Sequence, residues 1–81
     1  MKIYIVTFDD LENYGAGCAN VKVFKTDKEA IDYIKTEYLK KCEVEEITEP
    51  MAEDSYDYQY GTTYAYIRDA YYWDMFEREI N

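Results

Sequence analysis

The chain has 81 residues, 48% apolar and 19% aromatic, with 18 acidic and 9 basic side chains, no histidine and a net charge of −9. That length suits one small domain, residues 1–81, and the apolar and aromatic content excludes a disordered acidic tail. No window approaches the ~18 apolar residues of a membrane span, and the carboxylate surplus argues against direct binding to nucleic-acid phosphates or anionic lipid.

Residues 2–9 read as a strand. Ile3, Ile5 and Thr7 share one face, and Tyr4, Val6 and Phe8 share the other. Both faces are mostly apolar, which predicts a central strand covered on at least one side. The run Met1-Lys2-Ile3-Tyr4-Ile5-Val6 has no small-residue cleavage site, so a cytoplasmic setting is expected. Residues 9–20 hold Asp9, Asp10, Glu12, Asn13, Gly15 and Gly17 and read as a polar loop. Residues 20–25 resume alternation around Val21 and Val23 and predict a second strand antiparallel to the first.

Thr26-Asp27-Lys28-Glu29 is a capping box that opens a helix. Asp27 and Glu29 also suit the positive end of the helix dipole. Ala30, Ile31, Ile34, Tyr38, Leu39 and Cys42 recur at helical spacing as the buried stripe, and Glu37 precedes Lys41 by four residues, the favourable order for a surface pair. The helix is expected to end near Cys42 or Glu43. Residues 43–48 then predict a short acidic edge strand turning Val44 inward, broken by Glu49-Pro50. Residues 51–61 read as a loop, or a loop leading into a strand. Residues 62–68 are β-branched and aromatic and predict a strand.

Residues 71–80 fit two patterns. As a strand, Tyr71, Trp73 and Met75 share a face; as a helix capped by Asp69, Trp73, Phe76 and Ile80 do. The aromatic content favours the strand. The fold class is therefore α+β: a small antiparallel sheet, ββα followed by a β-hairpin, with one helix packed on one face. Some tyrosines of the other face are left exposed or docked on something.

Few chemistries survive the residue inventory. Without histidine there is no histidine-activated nucleophile, and the commonest zinc ligand is missing. Neither GxGxxG, GxxxxGK[ST] nor GxSxG occurs. Cys18 and Cys42 lack CxxC spacing and read as two reduced thiols. Asp9 with Asp10, and Asp54 with Asp57, are paired carboxylates that a hydrolase or a magnesium site can use, but among so many acids they read as solvated surface. Residues 9–17 and 54–61 lack the D-x-D-x-D-G spacing of a calcium loop. No catalytic residue, metal site or cofactor is expected.

Charge is distributed unevenly. Residues 1–41 carry seven acids and seven bases; residues 42–81 carry eleven acids against Arg68 and Arg78. The acidic half is interleaved with tyrosine, most densely in Ser55-Tyr56-Asp57-Tyr58-Gln59-Tyr60-Gly61. Carboxylates at i and i+2 on an extended strand lie ~6.6 Å apart, similar to neighbouring phosphates along a nucleic-acid strand. Glu43 with Glu45, and Glu77 with Glu79, have that spacing. Tyrosines supply large anchors of low conformational entropy at protein interfaces, and carboxylates meet arginine or lysine.

A short acidic chain with carboxylates and tyrosines concentrated in residues 43–60 and 69–79 resembles the small phage-encoded inhibitors of bacterial defence. Those are the anti-CRISPR and antirestriction proteins that occupy the nucleic-acid groove of their target. The resemblance lies in size and charge pattern, without a diagnostic motif. It implies a non-enzymatic, cytoplasmic inhibitor that binds a basic surface of a nucleic-acid-handling protein and competes with nucleic acid as its mimic. The expected partner-binding residues are Glu49, Glu53, Asp54, Tyr56, Asp57, Tyr58 and Tyr60, with Asp69, Asp74, Glu77 and Glu79 as a second patch. The alternative is a small structural or adaptor domain that self-associates, as a homodimer for instance, through an exposed tyrosine face or an edge strand, its charge serving solubility. Neither reading involves a membrane.

Overall fold

A computed structural model of the chain describes residues 1–10, 20–52, 55–68 and 70–80. The elements run β1 (Lys2–Asp10), β2 (Asn20–Phe24), α1 (Asp27–Val44), β3 (Tyr58–Tyr60), β4 (Tyr64–Ile67) and β5 (Tyr71–Glu79). The strands form one sheet in the order β2-β1-β5-β4-β3, and every neighbouring pair is antiparallel. The fold is α+β, with α1 laid across one face. The expected loop over residues 9–20 falls largely on 11–19, outside the described residues, while Asp9 and Asp10 belong to β1.

The first and last strands lie side by side in the middle of the sheet. Lys2 opposes Glu79 and Asp10 opposes Tyr71, a nine-residue ladder. It is extended by the Ile80 amide donating to the Met1 carbonyl at 2.7 Å. β1 therefore has a strand on each edge and the helix over one face, the central position expected for it. Residues 71–80 form the strand alternative, with Tyr71 and Trp73 buried. Among the described residues three strands follow the helix, because residues 58–60 pair with β4 ahead of the expected hairpin. The turn between β3 and β4 needs Gly61: a Cβ there would collide with the Tyr64 ring, while the Gly61 amide donates to the Tyr64 carbonyl at 2.8 Å. The turn into β5 has Arg68 at φ 50 and closes with the Ala70 amide on the Ile67 carbonyl at 3.1 Å.

Side chains alternate across a strand, so register sorts them into two faces. The helix side carries Val6, Phe8, Ala65, Ile67, Tyr71 and Trp73, packed against Ala30, Ile34, Tyr38 and Cys42 of α1. Ile31 and Leu39, expected in the buried stripe, are half-buried on its flanks. Trp73 is the centre: Phe8 stacks on it at 5.0 Å and Tyr38 meets it edge-on at 6.1 Å. Among the described residues the opposite face carries no helix. Its central row is Val23, Ile5 and Phe76, and the next row is Val21, Thr7, Asp74 and Tyr64.

Both ends of α1 are capped by local hydrogen bonds. Thr26 accepts from the Glu29 amide at 3.2 Å, and its hydroxyl donates to the Glu29 carboxylate at 3.0 Å. At the other end the Ile47 amide donates to the Cys42 carbonyl at 2.9 Å and the Glu46 amide to the Glu43 carbonyl at 3.2 Å. This is a Schellman cap, with Glu46 at φ 60 in the left-handed position that glycine usually fills. The cap carries the helix to Val44, so the expected acidic strand over residues 43–48 does not form. Val44 points to solvent at 71% exposure instead of inward. The expected Glu37–Lys41 pair is also replaced. Glu37 pairs loosely with Lys40 at 3.9 Å, and Lys41 reaches over the Tyr71 ring at 4.7 Å.

Candidate functional site

The end of α1 and the segment that follows it carry Glu43, Glu45, Glu46, Glu49 and Asp57. The segment is tied to the fold at three points. The buried Tyr38 hydroxyl donates to the Pro50 carbonyl at 2.5 Å. The Arg68 amide donates to the Asp57 carbonyl, and the Arg68 guanidinium pairs with Glu45 at 2.9 Å. Arg68 thus joins the helix C-terminus to the turn at Tyr56 and Asp57. That turn is shaped by Ser55, whose hydroxyl accepts from the Asp57 and Tyr58 amides at 3.2 and 3.3 Å.

Glu43, Glu46, Glu49 and Asp57 are exposed on this scaffold, and among the described residues none has a cation within 4.0 Å. Tyr56 stands beside Asp57 at 99% exposure. By contrast Glu45 is neutralised by Arg68, and Asp32 by Lys28 at 2.9 Å. Among the described residues, four exposed carboxylates are thus left without a cation at the helix C-terminal end, while Asp27 and Glu29, which also lack one, sit in the first turn of α1.

The expected residues separate once placed. Glu49, Tyr56 and Asp57 lie at the acidic end; Glu53, Asp54 and Asp69 lie outside the described residues. Tyr58 and Tyr60 are half-buried on the helix side of the sheet, where Tyr60 meets Tyr38 at 5.5 Å. Burial raises the Tyr60 hydroxyl pKa, with Asp32 adding to it. The second patch does not converge. Asp74 is on the open face, whereas Glu77 and Glu79 are on the helix side beyond α1, pairing at 3.7 Å with Lys2 and with the terminal amine. The ~6.6 Å carboxylate spacing fails for Glu43 and Glu45, one helical and one at the cap, and applies to Glu77 and Glu79 within β5. Sequence reasoning left Glu43 and Glu46 out of the site; the signal for Glu46 is a non-glycine residue at a helix stop.

A separate hollow of about 220 Å³ lies between α1 and the sheet, lined by Phe8, Asn20, Tyr33, Glu37, Lys41 and Trp73. It presents one lysine and one carboxylate to aromatic walls. Among the described residues no three of Cys, Asp and Glu converge as a metal site. Cys42 is a buried free thiol whose pKa is raised by burial. No described helix is long and apolar enough to cross a membrane.

Comparison with protein-family models, with curated proteins and with solved structures finds no match for the chain.

Proposed function

We propose that the protein is a non-enzymatic inhibitor that binds a basic surface of a nucleic-acid-handling protein and competes there with nucleic acid. The observation that carries this reading is the uncompensated acidic end: Glu43, Glu46, Glu49 and Asp57 without a cation within 4.0 Å among the described residues, beside the exposed Tyr56. Such an array attracts surfaces that normally hold phosphates, and an exposed tyrosine beside Asp57 supplies an anchor. Glu46 adds to the argument. A side chain in the left-handed region costs roughly 1 kcal/mol relative to glycine, and here that position carries a carboxylate to the acidic end.

The target is a component of a bacterial defence system, CRISPR-Cas or restriction, and the protein acts in the host cytoplasm as a phage-encoded product. The resemblance in size and charge pattern supports this part of the proposal. Glu53, Asp54 and Asp69 remain expected partner-binding residues in this reading.

The test is charge reversal. Replacing Glu43, Glu49 and Asp57 with lysine is expected to abolish binding to the basic target while leaving the far-ultraviolet circular dichroism unchanged. Undiminished affinity in a folded variant would sink the reading.

A further inference from the structure

The sheet face opposite α1 combines exposed apolar side chains with very few charges. Val23 is 59% exposed and Phe76 39%. Register puts them in one row with Ile5 between. A layered fold buries such a face against another layer, and the charges on it indicate which one. Along β5 this face presents Asp74, Phe76 and Arg78, an acid and a base on either side of an aromatic ring. Asp74 accepts from the Met75 amide at 2.8 Å and has no cation within 4.0 Å among the described residues. Arg78 donates to the Glu77 carbonyl at 2.8 Å and lies over the Phe76 ring at 5.6 Å.

We propose that this face is the interface of a two-fold homodimer in which the β5 strands of two copies run antiparallel, Phe76 packs on its counterpart, and Asp74 of each copy pairs with Arg78 of the other. A two-fold axis lying between the sheets, across the strands at the level of Phe76, exchanges positions 74 and 78. An axis along the strands would place Asp74 against Asp74, so the charge pattern selects the first arrangement. The face suffices in size. The five strands, from three to nine residues long, at a rise of ~3.3 Å per residue and ~4.8 Å apart, span roughly 475 Å² in projection. With side-chain relief this reaches the ~600 Å² per partner of the smallest specific interfaces. The arrangement leaves α1 outermost in both copies, away from the contact. The proposal stands apart from the inhibitor reading, which concerns the acidic end.

The test is a charge swap followed by sedimentation velocity over a concentration series. The parent chain is expected to sediment as a dimer. Asp74→Arg and Arg78→Asp are each expected to be monomeric, since each sets like charges opposite one another. Mixing the two variants is expected to restore a dimer, because every facing pair is then Arg with Asp. Phe76→Lys, a separate variant at the axis, is expected to be monomeric with unchanged circular dichroism. A parent that stays monomeric throughout, whatever else it binds, would overturn the proposal. So would single variants that remain dimeric, or folded variants whose mixture stays monomeric.

Discussion

The Tyr38 hydroxyl donates to the Pro50 carbonyl at 2.5 Å, so a buried residue of the helix holds the acidic segment to the core. Tyr38→Phe keeps the ring on Trp73 and removes the donor. The expected loss is about 1 kcal/mol, the usual net worth of such a bond, read as a lower urea midpoint. Amide exchange in residues 47–52 is expected to rise more than in β1 or β5. Equal protection across all of these would show that the bond does not anchor the segment.

Trp73 is 1% exposed and meets Phe8, Tyr38 and Tyr71. Trp73→Ala removes the largest buried side chain, at a cost of about 3–5 kcal/mol, comparable to the whole stability of a small domain. Loss of the cooperative thermal transition is expected. Trp73 is the single tryptophan, so the parent's emission is expected to shift to longer wavelength on unfolding.

Glu46→Gly separates stability from binding. Glycine fits φ 60 without steric cost, and the variant is expected to gain up to about 1 kcal/mol. It also removes a carboxylate from the acidic end, so affinity for the basic target is expected to fall. Paired denaturation and binding curves check the opposed signs.

The alkaline limb of stability follows from burial. Burial raises the Cys42 thiol above its ordinary 9.0 and the Tyr38 hydroxyl above 10.0. Each folded-state pKa lies above the unfolded one, so the folded protein holds these protons more tightly. Their contribution is complete below pH 9 and is lost as pH rises through the folded values. The melting temperature is expected to fall as pH climbs above 9, and Cys42→Ala is expected to move that onset to higher pH. A melting temperature that rises over this range would contradict the assignment.

Sequence alone reveals the elements whose signals are local. The capping box and the Ala30–Ile34–Tyr38–Cys42 spacing mark α1, and the two apolar faces of residues 2–9 mark an interior strand. Pairing is less legible. β3 is three residues long and exists through its register with β4, from Tyr58 opposite Ile67 to Tyr60 opposite Ala65. Alternation at Ser55–Gly61 shows two faces without showing which one meets the helix, so Tyr58 and Tyr60 read as anchors although they join the core. The helix end was obscured because Glu46 adopts a conformation that sequence associates with glycine. The open face was legible as alternation in each strand. Its assembly into one surface depends on β1 and β5 being neighbours, a contact between the two ends of the chain.

Competition with nucleic acid for a basic surface can be read out on the protein itself. The direct measurement is capture from a bacterial lysate on the immobilised protein, with elution by DNA or RNA and identification of what is released. One nucleic-acid-binding complex is expected to be retained, to be released by nucleic acid and by salt, and not to be retained by the chain with lysine at positions 43, 49 and 57. Retention that nucleic acid leaves undisturbed, or no retention at all, would contradict that competition.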